Sequence, residues 1–278
     1  MKFLFSILLA LCVTPAIARL DNTSNPPRVY SFGVVPQQSA FKLAKMWTPL
    51  LQHLSEQTGI SIQFVTAKDI PSFENELAAG NYDLSYMNPY HYVVFSDKAG
   101  YVPLVRDSKK GLKGIIVTRH DSPITSIQQL QGLALAFPAP AAFAASIIPR
   151  AEMNRAGISI VPRYVNSHDS VYLNVIKSLF PAGGGIIRSL EHLPEAQRSQ
   201  LRILWQSKTY TSHAIAAHSR VPPAQRKQLV AFFAGLSQSE QGRSLLKQLN
   251  FSQLDAATDS DWDDIRELGI HSLSRPDY

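Results

Sequence analysis

The chain has 278 residues, 45% of them hydrophobic and 17% charged, with a formal net charge of +6 and a single cysteine. That apolar share can bury a large core in one or two domains, which excludes a disordered or fibrous chain. The basic residues are scattered and not interleaved with aromatics, so the charge balance fits small anionic ligands and argues against nucleic-acid binding.

The chain opens with MKFLFSILLALCVTPAIAR: one lysine, a short apolar run and a small-x-small site at Ala16-Ile17-Ala18. This predicts a secretory signal over residues 1–18, cleaved after Ala18, with an apolar run too short for a permanent membrane anchor. Losing Lys2 takes the net charge from +6 to +5. Cys12 falls inside the signal, and the bulky Leu11 before it fits lipoprotein processing poorly. The remaining chain has no cysteine and can enter an oxidising compartment without disulfide chemistry. No later apolar run is long enough to cross a bilayer, so a soluble exported protein is expected, periplasmic in a bacterium.

The elements then follow in order. RVYSFGVV (28–35) reads as a buried strand ending at Pro36. From Ser39, the residues Leu43, Met46, Trp47, Leu50, Leu51 and Leu54 recur at helical spacing until Gly59. ISIQFVTA is a second strand, IPSFENELAAG a helix ending at Gly80, and YDLSYM a third strand. GIIVTRH, LALAF, IVPRYV, LRILW and HAIAAH (213–218) read as further strands, with helices at SIQQLQG, from Ala141, at SHDSVYLNVIKSLF and at VPPAQRKQLVAFFAGL. Strands alternating with helices at this rate predict α/β lobes with parallel sheets covered on both faces.

Two lobes without a flexible linker imply that the chain crosses between them on strands, near Thr118 and Ser212. Lobe 1 is then discontinuous, 28–118 plus 213–278, and lobe 2 spans 119–212. Open α/β sheets bind ligands beyond the carboxyl ends of their strands, so the cleft loops are those after Val35, Tyr86, Phe137, Val165 and Gly185.

Those loops carry specific chemistry. AFPAPAAFAASIIPR (136–150) has no charge before Arg150, so a helix beginning near Ala141 starts with free N–H groups and no acid beside them. In SYMNPYHY, Tyr86, Tyr90 and Tyr92 serve the core or a ligand, and Asn88 before Pro89 is a helix cap. In NSHDSV, Ser167 caps, Asp169 suits the positive helix end and His168 faces the cleft. Adjacent residues of a helix point apart, so Ser167, His168 and Asp169 form no catalytic relay, and no G-x-S-x-G motif is present. PAGGGIIR lacks the lysine of a phosphate-binding loop; it is a tight turn or backbone approaching a ligand. His91, His168 and His213 have no compact metal-site spacing, and neither metal nor cofactor is expected.

FGVVPQQSAFKLAKMWTPLLQHLSEQTG, YDLSYMNP, IIPR after a helix start, SHDSVYLNV and ILWQSKTYTSHAIAAH, in this order, resemble the phosphate/phosphite/phosphonate solute-binding proteins of ABC importers. The resemblance covers nearly the whole chain after the signal. It implies a type II periplasmic-binding-protein fold, with two lobes closing on a ligand by a hinge. The hydroxyl triplet that holds phosphonate oxygens in that family falls on Ala142, Phe143 and Ala144. The family histidine falls on His168 and is kept. Two acidic residues that meet the amine of an aminophosphonate fall on Arg188 and His213, and two tyrosines of that site on Ile70 and Met87. The resemblance therefore implies a solute-binding protein, not an enzyme, expected to be a monomer. Its ligand is an anion with a charged end at Arg188 and an apolar portion near Phe143, Ile70 and Met87. The implied partner is an ABC permease; a membrane sensor protein is the rival partner, and a periplasmic enzyme lacks any nucleophile–base pair.

Overall fold

The computed structural model describes residues 28–270, so the predicted signal, with Cys12 and Ala18, lies outside the described residues. In chain order the elements are β1 (Tyr30–Val34), α1 (Ala40–Thr58), β2 (Ile62–Thr66), α2 (Ile70–Ala78), β3 (Leu84–Met87), α3 (Pro89–Ala99) and β4 (Tyr101–Asp107). Then come β5 (Gly114–Arg119), β6 (Ala134–Phe137), a π-helical turn (Phe143–Ile147) running into α4 (Ile148–Arg155), β7 (Val161–Tyr164), α5 (His168–Ile176), β8 (Ala182–Ile186), α6 (Ile187–Glu191), α7 (Glu195–Arg198) and β9 (Leu201–Gln206). The chain closes with β10 (Ala214–His218), α8 (Pro223–Gly235), α9 (Glu240–Gln248), β11 (Leu254–Ala256) and α10 (Asp263–Arg266).

These strands form two sheets, ordered β11-β4-β10-β3-β1-β2 and β7-β6-β8-β5-β9. The β1–β2, β1–β3, β6–β7 and β6–β8 pairs are parallel, as the alternation predicts. The sheets are nonetheless mixed. β10 runs antiparallel to β3 and β4, and β5 antiparallel to β8 and β9. β4, β5, β9 and β10 flank the two crossings between sheets, and no helical crossover within one sheet fixes their direction.

The first crossing lies ahead of Thr118. β4 ends at Asp107 in one sheet and β5 begins at Gly114 in the other, so residues 108–113 make the passage. Thr118 lies inside β5, its hydroxyl donating to the Pro181 carbonyl at 2.8 Å. The local pattern of GIIVTRH marks a strand but not which sheet pairs it; β8 and β9 decide that. The return passage, 207–213, contains Ser212. The two passages are tied together, with Leu112 N–H donating to Tyr210 O (2.8 Å) and Tyr210 N–H to Leu112 O (2.9 Å).

α1 ends as predicted at Gly59, whose φ of 70° is the left-handed conformation that glycine adopts without strain. Its buried face is Leu43, Trp47, Leu50, Leu51 and Leu54, with Met46 only half-buried. Trp47 packs on Phe32 and on Tyr86 of β3, which anchors the helix against the strand ends that face the cleft. β4 has no counterpart in the sequence reading, because Pro103 interrupts it. Pro103 sits beside the register shift in the β4–β10 ladder, where the ladder is already broken.

Candidate functional site

A small cavity lies between the sheets, lined from the first by Gln37, Ile70, Asn88 and His213 and from the second by Ala142–Ala145, His168 and Ile186. Val35 and Leu112 complete the wall, and no aspartate or glutamate lines it. Its free volume is about 10 Å³, about the room of one water. The lobes are shut. His168 N–H donates to the Gln37 carbonyl (3.0 Å), Lys42 Nζ pairs with Asp169 (2.8 Å), and Arg188 donates to the Tyr86 hydroxyl.

The alanine stretch builds one wall. It turns as a π-helix from Phe143, two residues later than the start near Ala141 expected from sequence, with Ala142 at φ −65° and ψ 96° ahead of it. The first bonds of the turn run from Ser146 N–H (2.7 Å) and Ile147 N–H (3.2 Å) to the Ala142 carbonyl. The N–H groups of Phe143, Ala144 and Ala145 therefore precede the hydrogen-bond ladder, and the first turn holds no acidic side chain. The Phe143 ring packs edge-on against Tyr210 of the return passage, centroids 5.5 Å apart.

The glycines of β8 serve this wall. A Cβ on Gly184 would lie 1.9 Å from the Ala145 carbonyl oxygen, and one on Gly114 of β5 would lie 2.1 Å from that of Ala144. A Cβ on Gly185 would meet the Tyr172 hydroxyl at 2.2 Å. PAGGGIIR is neither the tight turn nor the ligand approach read from sequence: it forms strand β8, and its missing side chains let the bare turn and α5 press onto the sheet. Gly114 carries the same role and gave no separate signal in sequence.

At the start of α5, the Ser167 hydroxyl accepts the Ser170 N–H at 3.1 Å, so it serves as the cap. His168 is buried, with Nδ1 2.9 Å from Ser189 Oγ, leaving Nε2 available to the cavity. Burial pushes its pKa down to about 3, so the ring is neutral at physiological pH. His213 stacks on Tyr86 with centroids 5.0 Å apart and bonds Gln37 Nε2 at 3.0 Å. Burial, helped by the nearby Arg188, His91 and His168, holds its pKa well below the ordinary histidine value.

Asn88 caps α3 through the His91 N–H (2.7 Å), and His91 in turn bonds buried Glu74 (2.9 Å), a brace behind the cavity wall. Tyr86 is buried, and burial outweighs Arg188 to push its hydroxyl up to about 12. Arg188 lies with its guanidinium 4.4 Å from the centre of the Phe251 ring.

Of the residues singled out by sequence, the fold brings Ile70, Asn88, Ala142, Phe143, Ala144, His168 and His213 to the cavity. Tyr86, Met87, Ser167 and Arg188 are not in its wall. Met87 is wholly buried in the core, Ser167 is occupied as a cap, and Tyr86 with Arg188 bridges the lobes alongside. Tyr90 and Tyr92 are core residues, Tyr92 bonding Asp259 at 2.7 Å. Gln37 was missed. Its position one residue past Pro36 was the available signal, since the loop after Val35 was already a cleft loop.

The chain matches, over residues 32–262, the family described as the periplasmic substrate-binding protein of phosphonate ABC transporters. The phosphate-import protein PhnD of Mycolicibacterium smegmatis is 23% identical over 230 residues, covering 75% of this chain and 72% of the relative. The phosphonates-binding periplasmic protein of Escherichia coli is 20% identical over 259 residues, covering 87% and 76%. Among solved structures, PhnD1 of Prochlorococcus marinus in complex with methylphosphonate superposes with a TM-score of 0.80 at 18% identity, covering 90% of this chain and 99% of that one. Members of this family are substrate-binding components of transporters rather than enzymes. With a family model matched over residues 32–262 and the two-sheet fold described above, this chain belongs to the periplasmic phosphonate substrate-binding proteins of ABC transporters.

Proposed function

We propose that this protein captures a small organic anion of the phosphonate and phosphate class in the cleft and hands it to the permease of an ABC importer. The observation that carries the reading is the bare start of the π turn. Three backbone N–H groups ahead of the ladder border a cavity without acidic side chains, and a helix start of this kind attracts anions. Asn88, Gln37 and His168 add neutral polar groups around the same space. Ile70 and Phe143 supply an apolar side, which suits a carbon substituent on the anion. Both entry and the bound anion require the lobes to stand further apart than they do here, parting about residues 108–113 and 207–213, since the shut cavity holds no more than a water.

Ala142, Phe143 and Ala144 stand where the family resemblance places hydroxyls, so simple phosphonates should bind weakly. A hydrogen bond to a charged group is worth roughly 1.5–3 kcal/mol. Two or three missing ones, discounted for non-additivity, amount to roughly 3–6 kcal/mol, or about a hundred- to ten-thousand-fold. Calorimetry with methylphosphonate and phosphite, on the wild type and on the Ala142→Ser, Phe143→Thr, Ala144→Ser variant, tests this. Weak binding by the wild type and a large gain in the variant are expected. Tight wild-type binding would show that the hydroxyls are not missed. No binding of any phosphonate or phosphate by either protein would overturn the proposed function.

A further inference from the structure

A second cavity, of about 510 Å³, opens beside the first, between the two crossing passages and α6. It shares Leu112 and His213 with the ligand cavity, so those two side chains stand between the two spaces. Its charged lining is Lys109, Lys110, Lys113, Arg188 and a single acid, Glu191. Among the described residues, none of these four cations takes part in an ion pair. Glu191 is already engaged by the Asn250 side chain, and Lys110 donates to Asn250 Oδ1 at 2.6 Å. Elsewhere the described surface arginines are repeatedly matched with carboxylates, as in Arg106–Asp261, Arg220–Asp83 and Arg266–Asp259. Cations gathered round a concavity without matching acids create a positive potential that a bound anion relieves.

The two cavities differ in what they can hold. The first has no charged side chain, and its anion-binding groups are backbone N–H donors. The second offers side-chain cations and far more room. The side chains between them are apolar Leu112 and His213, whose pKa burial holds well below the ordinary value, so a ligand reaching past them from one space to the other is best served there by an uncharged chain.

Resting on the function proposed above, we infer that the ligand is two-headed: a phosphonate or phosphate in the first cavity, joined by a short uncharged carbon chain to a second anionic group held by Lys109, Lys113 and Arg188. Phosphonocarboxylates are the simplest such molecules.

The test compares 3-phosphonopropionate with propylphosphonate, which has the same carbon chain but lacks the carboxylate, by calorimetry on the wild type and on the Lys109→Gln/Lys113→Gln variant. The wild type should prefer 3-phosphonopropionate by about tenfold or more, with a preference that shrinks as salt is raised. In the variant, checked for folding by circular dichroism, the preference should fall severalfold, Arg188 keeping the remainder. The Lys109→Arg/Lys113→Arg variant should keep it. Equal wild-type affinity for the two probes would overturn the second-anion cavity while leaving the proposed function standing. A preference undiminished in the glutamine variant would show that Lys109 and Lys113 do not hold the carboxylate and overturn it too. If neither probe nor methylphosphonate nor phosphate binds, the proposed function itself fails.

Discussion

Two helices of the second lobe begin at the cleft, and their first turns are built in opposite ways. At α5, Ser167 accepts the Ser170 N–H, Asp169 lies in the first turn, and Lys42 from the other lobe pairs with that acid. At the π turn, Ala142, Phe143 and Ala144 have no side-chain oxygen, and no acid stands in the first turn. A helix start ordinarily gains about 1 kcal/mol from a cap, so leaving one bare has a cost that must be met by packing. The glycines of β5 and β8 provide the close seat. The capped start is self-sufficient and latches the lobes; the bare one depends on the sheet beneath it and leaves its first N–H groups ahead of the ladder.

The sharpest way to break that contrast is to lift the bare turn off its seat. Gly184→Ala places a Cβ against the Ala145 carbonyl and the Phe137 ring, atoms that cannot swing aside as a flexible side chain would. Overpacking of this kind costs about 3 kcal/mol at the upper end of its usual range. Urea unfolding should show that loss, with weakened anion binding. An unchanged midpoint would mean that the turn is not held by this contact.

A smaller effect belongs to the α5 start alone, through its first residue. The folded chain takes up a proton on His168 only near pH 3, whereas the unfolded chain does so below about 6.5. Between those values the unfolded state binds more protons, so stability is greatest above pH 6.5 and falls as pH drops toward 3. At pH 5 this amounts to about 2 kcal/mol from His168. His213, shifted the same way, acts in the same direction. His168→Gln should flatten the decline in unfolding free energy between pH 7 and pH 5. An equal slope in the variant would show that His168 is not buried neutral.

Much of this was legible in the sequence because it rests on local periodicity. Leu43, Trp47, Leu50, Leu51 and Leu54 mark one helix face, Gly59 ends it, and Asn88 and Ser167 cap where side-chain chemistry says they should. The order of motifs was enough to point to the family. What stayed hidden depends on partners far apart in the chain. Which sheet takes GIIVTRH is fixed by β8 and β9, so the first crossing was placed too late. The purpose of Gly114 and Gly184 appears only once the alanine turn lies on them. Met87 shows the limit of carrying a site over by counting: it is a core residue outside the cavity wall, because successive residues of a strand face opposite sides. The π turn cannot be read from alanine and proline composition, which fits any helix start.

The central claim is that the N–H groups of Phe143, Ala144 and Ala145 receive the anion. Amide proton shifts of the isotope-labelled protein, followed during titration with 3-phosphonopropionate or phosphate, address it directly. Large downfield shifts are expected at those three amides, while Ser170, whose N–H already donates to Ser167, should move little. Saturable binding with shifts at the start of α5 and none at residues 143–145 would contradict the account.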